Sequence, residues 1–125
     1  MDFRTVKTDW TGYQGRFEQL HFTGGYDHNY VLGRSGEKKI MANAYCRESG
    51  IALEAATDCC GVQFYAGNFI GEQTGKGGAA YHDRSAFCLE SQFYPNAVNE
   101  PDFPSPVVKA GDTYHTETSY RFYLR

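Results

Sequence analysis

The chain has 125 residues, a formal net charge of −3 and 22% charged residues. That length suits one domain, or one piece of a larger one, burying roughly two-thirds of its unfolded surface. So small a charge, with no basic cluster and no run near the ~18 apolar residues of a membrane span, argues against nucleic acid and membrane as partners.

Ten Tyr, nine Phe and one Trp bring aromatics to 16%, beside fourteen Gly. Aromatic side chains and glycine turns favour strands over helices. The opening MDFRTVKTDW has no apolar signal core, so the expectation is a cytoplasmic protein that is not exported. Cys46, Cys59, Cys60 and Cys88 form no CxxC pair. Reduced thiols are therefore expected, rather than a zinc site or a disulfide framework.

In chain order, residues 16–22 read as a weak strand. Gly24 and Gly25 permit a tight turn, after which Asp27, His28 and Asn29 supply three polar groups before an apolar strand. These three suit sugar hydroxyls, which need donors and acceptors; an Asx turn satisfying its own backbone is the plainer alternative. A metal at the lone His-Asp pair lacks further ligands at a credible spacing. Residues 40–47 and 51–57 read as two strands joined by a turn at 48–50, with Ile40, Ala42 and Ala44 on one face of the first and Ile51, Leu53 and Ala55 on one face of the second.

Residues 62–66 are apolar except for Gln63, whose carboxamide must find partners in the protein or in a ligand. The GEQTGKGG stretch at 71–78 has one residue too few for a phosphate loop and no Ser or Thr after Lys76, so a solvated loop is expected. On a strand over 86–93, Phe87, Leu89 and Ser91 share one face, and Cys88, Glu90 and Gln92 the other. Glu90 is thus either a solvated outer-face carboxylate or, at a partly dry site, a general base. Four prolines over 94–107 imply an ordered, extended connection. At 113–125 the alternation sets Tyr114, Thr116, Thr118, Tyr120, Phe122 and Leu124 on one face of a half-buried strand. The class expected is all-β, as a single unit over 1–125.

Three segments, GGYDHNYVL (24–32), GVQFYAGNF (61–69) and FCLESQFYPNAVNEPDFPS (87–105), resemble in order and spacing the C-terminal signatures of the aldose 1-epimerase family. The closing AGDTYHTETSYRFYLR is similar to the family's last strand. The resemblance implies the C-terminal part of an antiparallel β-sandwich of the galactose mutarotase (supersandwich) type. It further implies cofactor-free interconversion of the α and β anomers of hexoses such as galactose or glucose. Matched residue by residue, Glu90 stands at the family's general base, Asp27 at the carboxylate that holds sugar hydroxyls, and Gln63 at an amide lining the same cleft. Ser91 and Cys60 depart from a common Thr and Pro.

The family's general-acid histidine lies far upstream of the GYDHN motif, and none of His21, His28, His82 and His115 matches it. His82, eight residues before Glu90, would stand about 27 Å away along a continuous strand. Met1 therefore reads as an internal start or an artificial boundary. Two functions follow: a mutarotase fragment, or a non-catalytic carbohydrate-binding or remnant module. A sandwich lacking its upstream strands would expose strand edges and an apolar face, which homodimerisation would cover.

Overall fold

Alternating apolar residues punctuated by glycine turns make strands here, and the computed structural model, which describes residues 1–7 and 17–125, places them as follows. A helix α1 (Glu18–Phe22) precedes β1 (Asp27–Val31), β2 (Lys39–Tyr45), β3 (Ile51–Thr57), β4 (Gly61–Tyr65), β5 (Gln73–Thr74), β6 (Ala80–Tyr81), β7 (Cys88–Gln92) and β8 (Thr118–Leu124). Sheets form in the orders β1-β4-β7, β2-β3-β8 and β5-β6. The chain divides into two compact units, residues 1–28 with 64–88 and residues 29–63 with 89–125.

In the first unit, Leu20, Tyr26 and Ala66 are buried together, with Met1 and Phe64 packed on them. Phe3 stands edge-on to Tyr26 at 5.1 Å and to Phe64 at 5.6 Å between ring centroids. Such aromatic pairs add to simple area burial. Of the weak strand expected at 16–22, residues 18–22 are instead α1, Phe17 is its extended N-cap, and Arg16 lies outside the described residues. Only Leu20 of that segment is buried, so one helical turn hides it while Phe17 and Phe22 face water. The Thr23 hydroxyl donates to the Gln19 carbonyl at 3.0 Å and helps close the turn. The glycine-rich loop is exposed, as expected, but β5 and β6 pair across it as a small hairpin.

The second unit holds the β2-β3-β8 sheet. Strand β3 is antiparallel to both neighbours, with Leu53 opposite Ala44 on one side and Phe122 on the other. Directly opposed residues share a face. Tyr120, Phe122 and Leu124 thus line up with Ala55, Leu53 and Ile51. The expectation that Ile40 joins Ala42 and Ala44 fails. Ile40 pairs with Ala56 and Ala42 with Ala55, so a bulge at Met41 turns Ile40 to the opposite face.

Strand β8 begins at Thr118, later than the alternation implies. The cause is Asp58, whose Oδ1 accepts from the Thr116 hydroxyl at 2.6 Å and from the Glu117 N–H at 3.0 Å. Those bonds pull residues 116–117 off the strand path. Burial of the alternating face also falls short of expectation: Phe122 is 68% exposed and Leu124 80%. The proline-rich segment is a run of turns before it extends, since Ala97 N–H donates to Tyr94 O, Asn99 N–H to Asn96 O and Phe103 N–H to Glu100 O.

Candidate active site

Asp27 is the first residue of β1, and its position is fixed by the turn before it. Gly24 and Gly25 have φ of 62° and 146°, values that side chains rarely adopt. Asn68, buried, spans this turn by donating from Nδ2 to the Thr23 carbonyl at 3.1 Å and the Tyr26 carbonyl at 3.0 Å. Arg84 adds a bond from its guanidinium to the Gly24 carbonyl at 2.8 Å. The Asp27 side chain emerges half-buried, and its backbone N–H donates to His28 Nδ1 at 3.0 Å. His28 is therefore engaged with the Asp27 backbone.

Gln63 lies half-buried on β4, the central strand of the β1-β4-β7 sheet, with its Oε1 buried. Two backbone bonds fix the β1–β4 ladder, Leu32 N–H to Cys60 O at 2.8 Å and Ala66 N–H to Tyr26 O at 2.9 Å. Both belong to one antiparallel register, and that register sets Asn29 opposite Gln63. The amide of Asn29 rests over Gly61, where a Cβ would come within 2.9 Å of its Oδ1 and 3.1 Å of Tyr94 Cδ1. Asn29 was legible only as one of three polar residues. Its place beside Gln63 depends on pairing across 34 residues of chain, which one segment cannot disclose.

Glu90 sits mid-strand on β7 and is exposed. Ser91 turns towards β8, its hydroxyl 2.6 Å from that of Thr118, which in turn lies 3.1 Å from Thr57 Oγ1. The Tyr120 hydroxyl donates to the Leu89 carbonyl at 2.7 Å. Neighbouring side chains on a strand point to opposite faces. Ser91 facing β8 therefore leaves Glu90 on the far side, as the alternation implied. Among the described residues Glu90 is exposed, while Gln92 on the same face of β7 is half-buried.

Gln63 and Glu90 belong to the second compact unit and Asp27 to the first. Each stands on a different strand of one sheet. His82 is engaged elsewhere, its Nδ1 2.8 Å from the Glu72 carboxylate. All four cysteines are free thiols, Cys59 and Cys60 buried and Cys46 and Cys88 exposed. Among the described residues no group of three His, Cys, Asp or Glu side chains could hold a metal ion. No helix there is long and apolar enough to cross a membrane.

Comparison with known proteins agrees with the motif order. The family model for aldose 1-epimerase matches residues 3–121. Galactose mutarotase from Sus scrofa is 45% identical over 109 residues, covering 86% of this chain and 32% of that protein. Aldose 1-epimerase from Escherichia coli (strain K12) is 32% identical over 124 residues, covering 97% of this chain and 36% of that protein. A crystal structure of a GalM/aldose epimerase homologue from C. elegans superposes with a TM-score of 0.65 at 29% identity, covering 78% of this chain and 30% of that one. The chain thus spans about a third of the length of the curated relatives it matches. On the family match, the relatives and the shared β fold together, the chain belongs to the aldose 1-epimerase family.

Proposed function

We propose that this chain is the sugar-holding and base-bearing C-terminal part of a mutarotase domain, acting on a hexose such as galactose or glucose. The family match across residues 3–121 carries this reading. Glu90 removes the proton of the C1 hydroxyl while an acid protonates the ring oxygen, and the C1–O5 bond breaks to give the open-chain aldehyde. Rotation about C1–C2 presents the other carbonyl face, and the reverse proton transfers close the opposite anomer. Asp27 accepts from sugar hydroxyls, and Gln63 holds the same sugar through its amide. No cofactor takes part. Each positioned acid or base is worth on the order of 10²–10⁴ in rate.

None of the four histidines matches the family's general acid, so the chain by itself is expected to be weakly active at most. Polarimetry on freshly dissolved α-galactose tests the reading. Any acceleration should vanish in Glu90→Gln; acceleration that persists in that variant refutes the base assignment.

The second reading is a non-catalytic carbohydrate-binding or remnant module, and the exposure of Glu90 favours it. Calorimetric titration separates the two, because a binding module takes up galactose without altering its mutarotation rate. The setting proposed is reducing and cytoplasmic, on the cysteine spacing in the sequence.

Self-association belongs to the same proposal. β8 is an edge strand whose Phe122 and Leu124 are exposed beside Ile51, while the opposite edge, β2, is bulged. An unprotected edge invites pairing, and two copies of β8 can pair antiparallel about a two-fold axis. Light scattering should then report a dimer that Phe122→Asp dissociates. A stable dilute monomer of the unaltered chain refutes it.

A further inference from the structure

Among the described residues, two that are not glycine have positive φ, Asn96 at 63° and Arg84 at 64°. A short polar side chain such as that of Asn96 eases this backbone by bonding locally, and that of arginine does not. The strain at Arg84 must be held by its surroundings, and strain held in this way points to function. The bonds of Arg84 reach two turns. Its N–H donates to the Gly67 carbonyl at 2.8 Å, and its guanidinium donates to the Gly24 carbonyl, also at 2.8 Å. Arg84 is half-buried, whereas residues 80–83 and 85–88 on either side are exposed.

Gly24 opens the turn that leads into Asp27, and Gly67 precedes Asn68, which bridges the Thr23 and Tyr26 carbonyls. Arg84 thus ties both turns from one backbone position. It also stands at the foot of the β5–β6 hairpin, where the Gly71 N–H donates to the Asp83 carboxylate at 2.7 Å and His82 meets Glu72. We propose that Arg84 is a positioning residue that couples this hairpin to Asp27. Its guanidinium, a charge-assisted donor, holds the Gly24 carbonyl, and a shift at the foot of the hairpin reaches Asp27 through that bond. This role rests on the sugar-binding reading of Asp27 above.

The test combines galactose titration of the full chain with NMR of the Asp27 carboxylate carbon and backbone amide. The proteins compared are the unaltered chain, Arg84→Gly, Asp83→Ala, Asp27→Asn and the double variant of Arg84→Gly with Asp27→Asn. Glycine accepts a φ of 64° without strain, so Arg84→Gly removes the guanidinium and keeps the backbone. It should weaken galactose binding roughly 5-fold, the worth of one hydrogen bond, and shift both Asp27 signals. The double variant should be no weaker than Asp27→Asn alone. Asp83→Ala releases the foot of the hairpin and leaves Arg84 intact. It should shift the same Asp27 signals, which also covers the case of an Arg84 variant that does not fold. Additive losses, or Asp27 signals that stay in place, overturn the coupling. Signals that move in a protein with no galactose affinity uphold the coupling and sink the sugar reading instead.

Discussion

Gly25→Ala should damage the turn that delivers Asp27, and the cost can be worked from the geometry. With φ at 146°, Gly25 occupies backbone space that alanine enters only with strain, about 1–3 kcal/mol. The new Cβ would also overlap the Asn68 side chain, reaching 2.9 Å from Cγ and closer still to Oδ1. Asn68 must then move, and its bonds to the Thr23 and Tyr26 carbonyls go with it. At about 1 kcal/mol net for each, the sum is about 3–5 kcal/mol. Small domains are stable by only about 5–15 kcal/mol, so much of the fold's margin would be lost.

Urea unfolding followed by circular dichroism measures this directly. Asn68→Ala alone should cost about 2–3 kcal/mol through its two orphaned carbonyls. The two changes share the same bonds, so the double variant should fall well short of their sum. A Gly25→Ala loss below about 0.5 kcal/mol, the range of an ordinary surface change, would refute the reasoning. So would full additivity with Asn68→Ala.

Two further outcomes follow from the electrostatics. The Thr116 hydroxyl and, after it, the Glu117 N–H hold the Asp58 carboxyl below its usual pKa. A depressed carboxylate contributes stability that is present above about pH 4, its unfolded value, and is lost as pH falls through the lower folded value. Urea titrations at pH 5 and pH 3 should therefore show the unaltered chain losing more stability on acidification than Asp58→Asn; equal losses contradict the role given to Asp58. Separately, Ser49 lowers the pKa of the exposed Cys46 thiol, first through its hydroxyl and then through its N–H. Iodoacetamide at pH 7.4 (an ordinary working value, about one unit below a free thiol) should label Cys46 readily, and Ser49→Ala should slow that labelling. Equal rates in the two proteins would contradict this.

Much of the fold was legible because each strand carries its own signal. The β2–β3 hairpin follows from alternation on both sides of a glycine turn, and Glu90 falls on the face that alternation assigns. What was not legible depends on partners distant in the chain. Arg16–Phe22 alternates too briefly to tell a strand from one helical turn, and the burial of Leu20 against Tyr26 and Ala66 decides it. The late start of β8 is set by Asp58, some sixty residues earlier. The bulge at Met41 leaves no mark in an apolar run. Of the candidate site, Asp27, Gln63 and Glu90 are proposed on motif order, whereas the placement of Asn29 beside Gly61 is seen only once β1 and β4 are paired.

The central proposal is that the chain takes up a hexose, with Asp27 accepting from sugar hydroxyls and Glu90 acting as base. Titration of galactose into the unaltered chain, Asp27→Asn and Glu90→Gln, followed by sugar-proton saturation transfer, tests it most directly. The account predicts binding in the unaltered protein, loss of most of it in Asp27→Asn, and altered contact at the anomeric proton in Glu90→Gln. Identical saturation patterns in all three proteins would contradict it.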